Sequence, residues 1–303
     1  MDRPPNIVIR NYGNFFDVQT PNGVLRCTAR ATVKRERRGT SPVAVGDRVE
    51  VLPTIPGEGV IESVAPRERS LSRLARGTEA MEQVILANPD QLVAVFAVTH
   101  PEPHPRMLDR FLIIAEARGI AAAVCANKID LDPNRELRHV FDPYRAAGYP
   151  VFETSVRERI GIDALREHLH GKITAFSGPS GVGKSSLINA LLPDLDERIG
   201  SVSSSTGKGR HTTSATTLLA LDSETYIADT PGIRQLSFWG VDFAHLDRCF
   251  PEFRPYLDSC YYDDCTHINE PGCAVLAALE ARAIDLGRYE SYRGLREGAS
   301  VDE

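Results

Sequence analysis

Gly178-Pro179-Ser180-Gly181-Val182-Gly183-Lys184-Ser185-Ser186 is the stretch on which the fold turns. Its spacing is that of a phosphate loop. Glycines let backbone N–H groups turn toward phosphate oxygens, Lys184 reaches the outer phosphates, and the Ser185 hydroxyl suits Mg²⁺. Context supports this over an empty Gly-rich turn. Lys172–Ser177 reads as an apolar strand feeding the loop, and a helix after it ends at Pro193.

Moving outward, the companion motifs stand in an unusual order. Asn127-Lys128-Ile129-Asp130 and Thr154-Ser155 come before the loop, and Asp229-Thr230-Pro231-Gly232 comes after it. A carboxylate at Asp130 can accept both N1–H and the 2-amino group of guanine. Adenine would leave it unpaired, so this pattern selects GTP over ATP. Four residues alone also fit a loop with a helix cap, and the dipeptide Thr154-Ser155 carries little information by itself. Asp229 suits Mg²⁺ through water, and the Gly232 N–H suits the γ-phosphate. In ordinary GTPases the phosphate loop leads and the base-reading motifs close the domain. The order here indicates a circularly permuted P-loop GTPase.

Each of these motifs falls where a strand is expected to end, as ligand sites do in a doubly wound parallel sheet. Leu92–Val98 and Ile120–Ala126 read as buried strands, Pro105–Arg118 as a helix, and Thr217–Leu221 and Thr225–Ala228 as further strands. Between the phosphate loop and Asp229 lies a small polar segment, Ser201–Thr213. It offers Thr212 or Thr213 to close on Mg²⁺, or it is a loop without a role. Ile233 stands where many GTPases carry a water-orienting Gln, and an aliphatic side chain cannot orient water. Unaided hydrolysis is therefore expected to be slow. His211 is the nearest group able to position the water; an ordinary loop histidine is the alternative.

Residues 1–76 differ in kind. Short alternating runs separated by turns, with Pro21-Asn22-Gly23 as a hairpin signal, predict a small OB-fold β-barrel. This region holds 13 Lys/Arg against 8 Asp/Glu, a net of +5, while the rest holds 22 against 33, a net of −11. A basic head on an acidic body points to a polyanionic partner for the head. Lys34-Arg35-Glu36-Arg37-Arg38 is expected in a loop between strands, either simply solvated or touching RNA.

Residues 241–303 change character again. Cys260, Cys265, His267 and Cys273 supply three thiolates and an imidazole, a set suited to one closed, structural Zn²⁺. Buried free thiols and a surface histidine are the alternative. Ala274–Glu297 reads as helical with a break near Gly287, and Cys27, Cys125 and Cys249 read as packed thiols. Apolar content of 42% and charge of 25% suit a soluble globular chain. No transmembrane run or signal-peptide core is seen, so the expected location is cytoplasmic, away from membranes.

Taken together, these residues closely resemble the ribosome small-subunit-dependent GTPases, the RsgA/YjeQ-like family. The resemblance spans almost the whole chain. It includes the permuted order, Ala87-Asn-Pro-Asp-Gln91, Leu108-Asp-Arg110, Gly209-Arg-His-Thr-Thr213, the Cys/His knuckle with Glu270-Pro271 before its last cysteine, and Arg288-Tyr-x-Ser-Tyr292. It implies an N-terminal OB-fold (1–76), a permuted GTPase domain (77–240) and a C-terminal zinc-binding helical domain (241–303). It further implies a protein that binds GTP or GDP and the small ribosomal subunit with its rRNA; the chain itself is expected to be a monomer. His211 would be the catalytic histidine and Thr213 the Mg²⁺-linked switch, with Lys184 on the phosphates. The permutation also lets the chain leave the nucleotide site after Gly232 and run toward the knuckle, which suggests a direct link between the two.

Overall fold

Alternating runs at the N-terminus become strands with one face inward. In this computed structural model, which describes residues 6–36, 39–74, 82–192, 216–229, 238 and 241–298, β1 (Asn6–Asn11), β2 (Phe16–Thr20) and β3 (Gly23–Ala29) form an antiparallel meander. The Pro21-Asn22 turn joins β2 to β3, and Gly23 leaves it at φ +114°, where a Cβ would be strained.

α1 (Ala31–Glu36) comes before β4 (Arg48–Pro53) and β5 (Glu58–Val64). β5 pairs with β3 and β4, and β4 returns to β1 at Asn6↔Val49 and Ile7↔Arg48. The ring β1-β2-β3-β5-β4-β1 is a closed five-stranded barrel of the OB type. Val8, Phe16, Val18, Cys27, Val49 and Ile61 fill it.

The helix α1 corrects the loop expected at Lys34–Arg38. Val33 is 3% exposed and packs into the barrel core, a burial of about 1.5–2 kcal/mol that fixes this six-residue helix. Six residues are too few to show helical periodicity in sequence. Arg37 and Arg38 lie outside the described residues.

A hairpin of β6 (Ser70–Leu74) and β7 (Glu82–Ala87) follows the barrel. Arg67 ties its approach to the barrel through a bidentate pair with the fully buried Asp47, both bonds 2.8 Å long. The chain then forms two compact units. One comprises Met1–Gln91, Ile162–Ser177 and Lys184–Trp239; the other comprises Leu92–Gly161, Gly178–Gly183 and Gly240–Glu303.

In the second unit, β8 (Gln91–Ala97) is buried along its whole length, as its unbroken apolar run predicts. α2 (Pro105–Ala117) starts with Pro105 and a cap from His104, and ends before Gly119. β9 (Ala121–Asn127), α3 (Asp142–Ala146) and β10 (Val151–Thr154) complete this stretch, with strand order β10-β9-β8. β9 and β10 run parallel with Asn127 opposite Thr154, so two motifs share one level of the sheet.

In the first unit, α4 (Ile162–Leu169) leads to β11 (Ile173–Ser177), α5 (Lys184–Leu191), β12 (Thr217–Ala220) and β13 (Tyr226–Asp229). β11 and β13 are parallel, but β12 is antiparallel to β13 and meets β1 at Arg10↔Thr217. An all-parallel sheet was expected here. The turn from Leu221 to Thr225 is too short for a crossover, which needs a dozen or more residues, and Asp222 locks it through the Glu224 and Thr225 N–H groups.

The C-terminal part of the second unit carries α6 (Arg254–Leu257), α7 (Ala274–Glu280) and α8 (Leu286–Arg296). The helical break lies at 281–285 instead of at Gly287. Arg282 sits at φ +59°, and Asp285 caps α8 by accepting the Arg288 N–H at 3.1 Å, which places Gly287 inside the first turn.

Candidate functional site

The parallel register of β9 and β10 sets Asn127 beside Thr154. The Thr154 hydroxyl donates to Asn127 Oδ1 at 3.0 Å, so the Asn127 amide must turn its NH₂ the other way, where Nδ2 donates to the Val182 carbonyl at 2.8 Å. Cys125 Sγ lies 3.2 Å from the same hydroxyl. Burial pushes the Cys125 thiol up to about 12, so it stays protonated and serves as the donor to Thr154. The base-reading strand end is thereby tied to the phosphate loop by a fully buried chain of groups.

Lys128 takes a left-handed backbone at φ 62°. Its Nζ donates to the Gly181 carbonyl at 2.6 Å and to the His100 carbonyl. Asp130 Oδ1 accepts the Ser155 hydroxyl at 2.7 Å. Ser155 is itself fixed by paired 3.0 Å backbone bonds with Ile160 and by the Glu158 N–H at 3.1 Å. Thr154 and Ser155 therefore orient Asn127 and Asp130 through their side chains, a role the sequence did not suggest.

The phosphate loop in this unit depends on its glycines. Gly178, Gly181 and Gly183 hold φ of +144°, +79° and +94°. A Cβ on Gly178 would stand 2.1 Å from the Val95 carbonyl oxygen, and one on Gly183 would stand 2.6 Å from Asn127 Nδ2. Val182 is buried, while Ser180 and Gly181 are exposed and Pro179 is half-buried.

In the first unit, α5 begins at Lys184, with Ser185 and Ser186 exposed in its first turn. Asp229 ends β13. It keeps solvent contact, yet desolvation by surrounding protein raises its carboxyl above the usual range, with the Lys184 charge opposing. A partly desolvated carboxylate that feels the Lys184 charge, and an exposed Ser185 hydroxyl next to Lys184 in sequence, are donor types that fit Mg²⁺. His211, Thr212, Thr213, Gly232 and Ile233 lie outside the described residues.

Cys260, Cys265, His267 and Cys273 converge, their donor atoms all within 4.8 Å of one another. His267 Nδ1 is 3.6 Å from Cys260 Sγ and 3.4 Å from Cys273 Sγ. A tetrahedral ion bonded at about 2.3 Å to sulfur and 2.0–2.1 Å to nitrogen has edges of about 3.5–3.8 Å. The four donors could hold one metal ion. Burial pushes the Cys265 thiol up to about 12, so neutral pH alone does not ionise it and a cation would.

The surroundings fix the knuckle. His267 stands at φ +61°, with Nε2 facing Asp247 at 3.7 Å. Glu270 gathers the N–H groups of Thr266, Ile268 and Asn269 on one carboxylate. Although burial opposes its ionisation, these bonds and the Thr266 hydroxyl lower Glu270 to about 2. Tyr289 and Tyr292 from α8 donate to the carbonyls of His267 and Thr266 at 2.9 and 2.7 Å.

Two residues noted in the sequence without a role, Asp109 and Arg288, prove to be partners. Arg288 on α8 is 2% exposed. Its Nη1 donates to Asp109 Oδ1 on α2 at 2.5 Å, and its Nε and Nη2 donate to Glu252 at 2.7 and 3.3 Å. Ser291 donates to the other Asp109 oxygen. Phe250, Tyr144 and Tyr149 enclose the guanidinium, at 4.7, 5.3 and 5.9 Å to the ring centres. Burial disfavours this charge, but Asp109 and Glu252 outweigh it and raise the Arg288 pKa. A charged pair at this depth fastens α8 to α2.

Similarity to known proteins agrees with this geometry. Residues 64–239 match the RsgA GTPase family and residues 7–61 match the RsgA N-terminal domain. A Gemmatimonas aurantiaca protein named small ribosomal subunit biogenesis GTPase RsgA is 44% identical over 294 residues, covering 96% of each chain. A Moorella thermoacetica protein of the same name is 40% identical over 285 residues, covering 94% of this chain and 93% of its own. The crystal structure of YjeQ from Thermotoga maritima superposes with a TM-score of 0.79 at 33% identity, covering 97% of both chains. YloQ, described as a circularly permuted GTPase, gives 0.76 at 29% identity, covering 98% of this chain and 95% of its own.

Proposed function

This chain belongs to the RsgA GTPase family, and from that membership we propose that it hydrolyses GTP to GDP and phosphate in the late maturation of the small ribosomal subunit. It binds the subunit in the GTP state and leaves after subunit-stimulated hydrolysis. The observation that carries this reading is the Asn127–Val182 bond of 2.8 Å, which joins a base-reading motif to a phosphate loop 55 residues later in the chain. The relatives' names, which refer to small-subunit biogenesis, support the choice of partner.

In this reading Asp130 accepts guanine N1–H and the 2-amino group, with Asn127, Lys128, Thr154 and Ser155 shaping the base pocket. Gly178–Ser186 cradle the phosphates, and Lys184 neutralises their outer oxygens. Ser185 and Thr213 hold Mg²⁺ with Asp229 behind them; when bound, the ion offsets charge on the β- and γ-phosphates. Gly232 senses the γ-phosphate, and His211 positions the attacking water that Ile233 cannot.

Cys260, Cys265, His267 and Cys273 hold one structural Zn²⁺, the ion best matched by a compact Cys₃His set. Residues 1–76 act as the RNA-binding barrel, 77–240 as the GTPase and 241–303 as the zinc domain, in a cytoplasmic monomer. The barrel's outer face supports RNA contact. Tyr12 and Phe15 are 51% and 50% exposed, and Arg26 lies 5.8 Å from the Tyr12 ring, a surface on which unpaired bases can stack. No helix among the described residues is long and apolar enough to cross a membrane.

Co-sedimentation with purified small subunits tests the partner. Retention with a non-hydrolysable GTP analogue and loss with GDP is expected. Equal retention in both states, or none in either, would contradict the proposal.

A further inference from the structure

Base recognition needs two separate chain segments held at a fixed spacing, and one buried side chain spans both. The first segment runs from Asn127 through the turn Ile129–Leu131 that carries Asp130. The second is the end of β10, Glu153-Thr154-Ser155. Thr154 and Ser155 contact Asn127 and Asp130 directly. Those bonds hold only while the backbones that bear them stay in place.

Arg138 lies behind this pair with its side chain 10% exposed. Its Nη2 donates to the Ile129 carbonyl at 3.4 Å and the Asp132 carbonyl at 2.7 Å, and its Nε donates to Asp132 Oδ2 at 3.0 Å. Its Nη1 donates across to Glu153 Oε2 at 2.7 Å. Asp132 closes the first side by accepting the N–H groups of Glu136, Leu137 and Arg138. The carbonyl of Ile129 adjoins Asp130, and Glu153 adjoins Thr154. A planar guanidinium with divergent donors can bridge both sides at once; a lysine ammonium cannot.

We infer that Arg138 is a positioning residue for guanine recognition, clamping the Asp130 turn to the end of β10 from behind the base pocket. This rests on the reading that Asn127–Asp130 and Thr154-Ser155 hold the base. It predicts that Arg138 governs affinity for the base and discrimination at its 2-amino group without affecting the phosphate chemistry.

The test is calorimetric titration of the full chain with GDP and with IDP, which lacks the 2-amino group. Arg138→Gln should weaken GDP binding about 10- to 100-fold, as expected for charge-assisted bonds lost behind a binding group. It should also narrow the GDP/IDP affinity ratio, while turnover at saturating GTP stays within about two-fold of wild type. Arg138→Lys should recover only part of the affinity.

Arg145→Gln provides the structural control. It removes another Glu153 partner, at 2.6 Å, but leaves the clamp intact, so GDP affinity should stay within about two-fold. A folded Arg138→Gln protein with wild-type GDP affinity and GDP/IDP ratio would overturn the inference. If that variant fails to fold, Glu153→Gln removes the charge opposite Nη1 with little change of shape, and the same two outcomes decide. Asp130→Asn separates the underlying reading. It should move preference from GDP to XDP. No shift would overturn the base assignment itself, whereas a shift alongside an indifferent Arg138 would overturn only the clamp.

Discussion

Replacing Arg288 with methionine should uncouple the C-terminal segment from α2. The substitution keeps most of the volume but removes three hydrogen bonds and the guanidinium bonded to both Asp109 and Glu252, whose side chains are 2% and 8% exposed. Two buried carboxylates would then lose their shared counter-charge, with the Ser291 hydroxyl still donating to Asp109. Breaking a buried pair in this way costs about 3–5 kcal/mol, whereas replacing the whole group with apolar residues can be nearly neutral.

With a urea dependence of about 2 kcal/mol per molar, the unfolding midpoint of this unit should fall by roughly 1.5–2.5 M. The assay is urea unfolding followed by far-UV circular dichroism, with metal release to a coloured chelator measured in parallel. Release should accelerate, because the Tyr289 and Tyr292 hydroxyls that hold the knuckle backbone lie on the same helix as Arg288. Adding Asp109→Asn and Glu252→Gln should restore part of the loss. A midpoint within about 0.5 M of wild type would refute the claim that this triad fastens the segment.

Other consequences follow from the same geometry. Cys265→Ser should lower bound zinc from one per chain toward none by elemental analysis; full retention would remove Cys265 from the ligand set. Gly183→Ala should weaken GDP binding at least about 10-fold by titration, since its Cβ would meet Asn127 Nδ2 at a φ that costs about 1–3 kcal/mol for other residues. Wild-type affinity would show that the loop relaxes freely. His211→Ala should leave GDP affinity near normal while cutting subunit-stimulated phosphate release by about 100-fold; equal release would clear His211 of positioning water.

The nucleotide motifs were legible because each is short, contiguous and bound to a strand end. β9, β11 and β13 stop at Asn127, Ser177 and Asp229, each within one residue of the end expected from sequence, and β10 runs on to Thr154, into its motif. The knuckle was legible for the same reason, since its four donors lie within 14 consecutive residues. Contacts distant in sequence were not. Asp109 and Arg288 stand 179 residues apart, and nothing local to either predicts a partner. Arg138 was hidden because its role is carried by carbonyls and by Glu153, groups that every chain has in abundance.

The missed direction of β12 is different. The brevity of Leu221–Thr225 already required a hairpin, whereas the apolar character of the flanking strands fits either direction. The structure also adds to the expected link between nucleotide and knuckle. A route from the knuckle runs through α8 and Arg288 to α2 of the base-reading unit, separate from the suggested path after Gly232, which lies outside the described residues.

The central claim is that this chain is a GTPase whose turnover is controlled by the small ribosomal subunit. Phosphate release at saturating GTP, measured with and without purified small subunits, tests it most directly. Slow release by the free protein and a rise of at least about 10-fold with subunits, within a range that can reach roughly 10³–10⁵ for activated GTPases, is the expected result. Release that subunits leave unchanged would contradict the account and leave a GTP-dependent RNA-binding switch in its place.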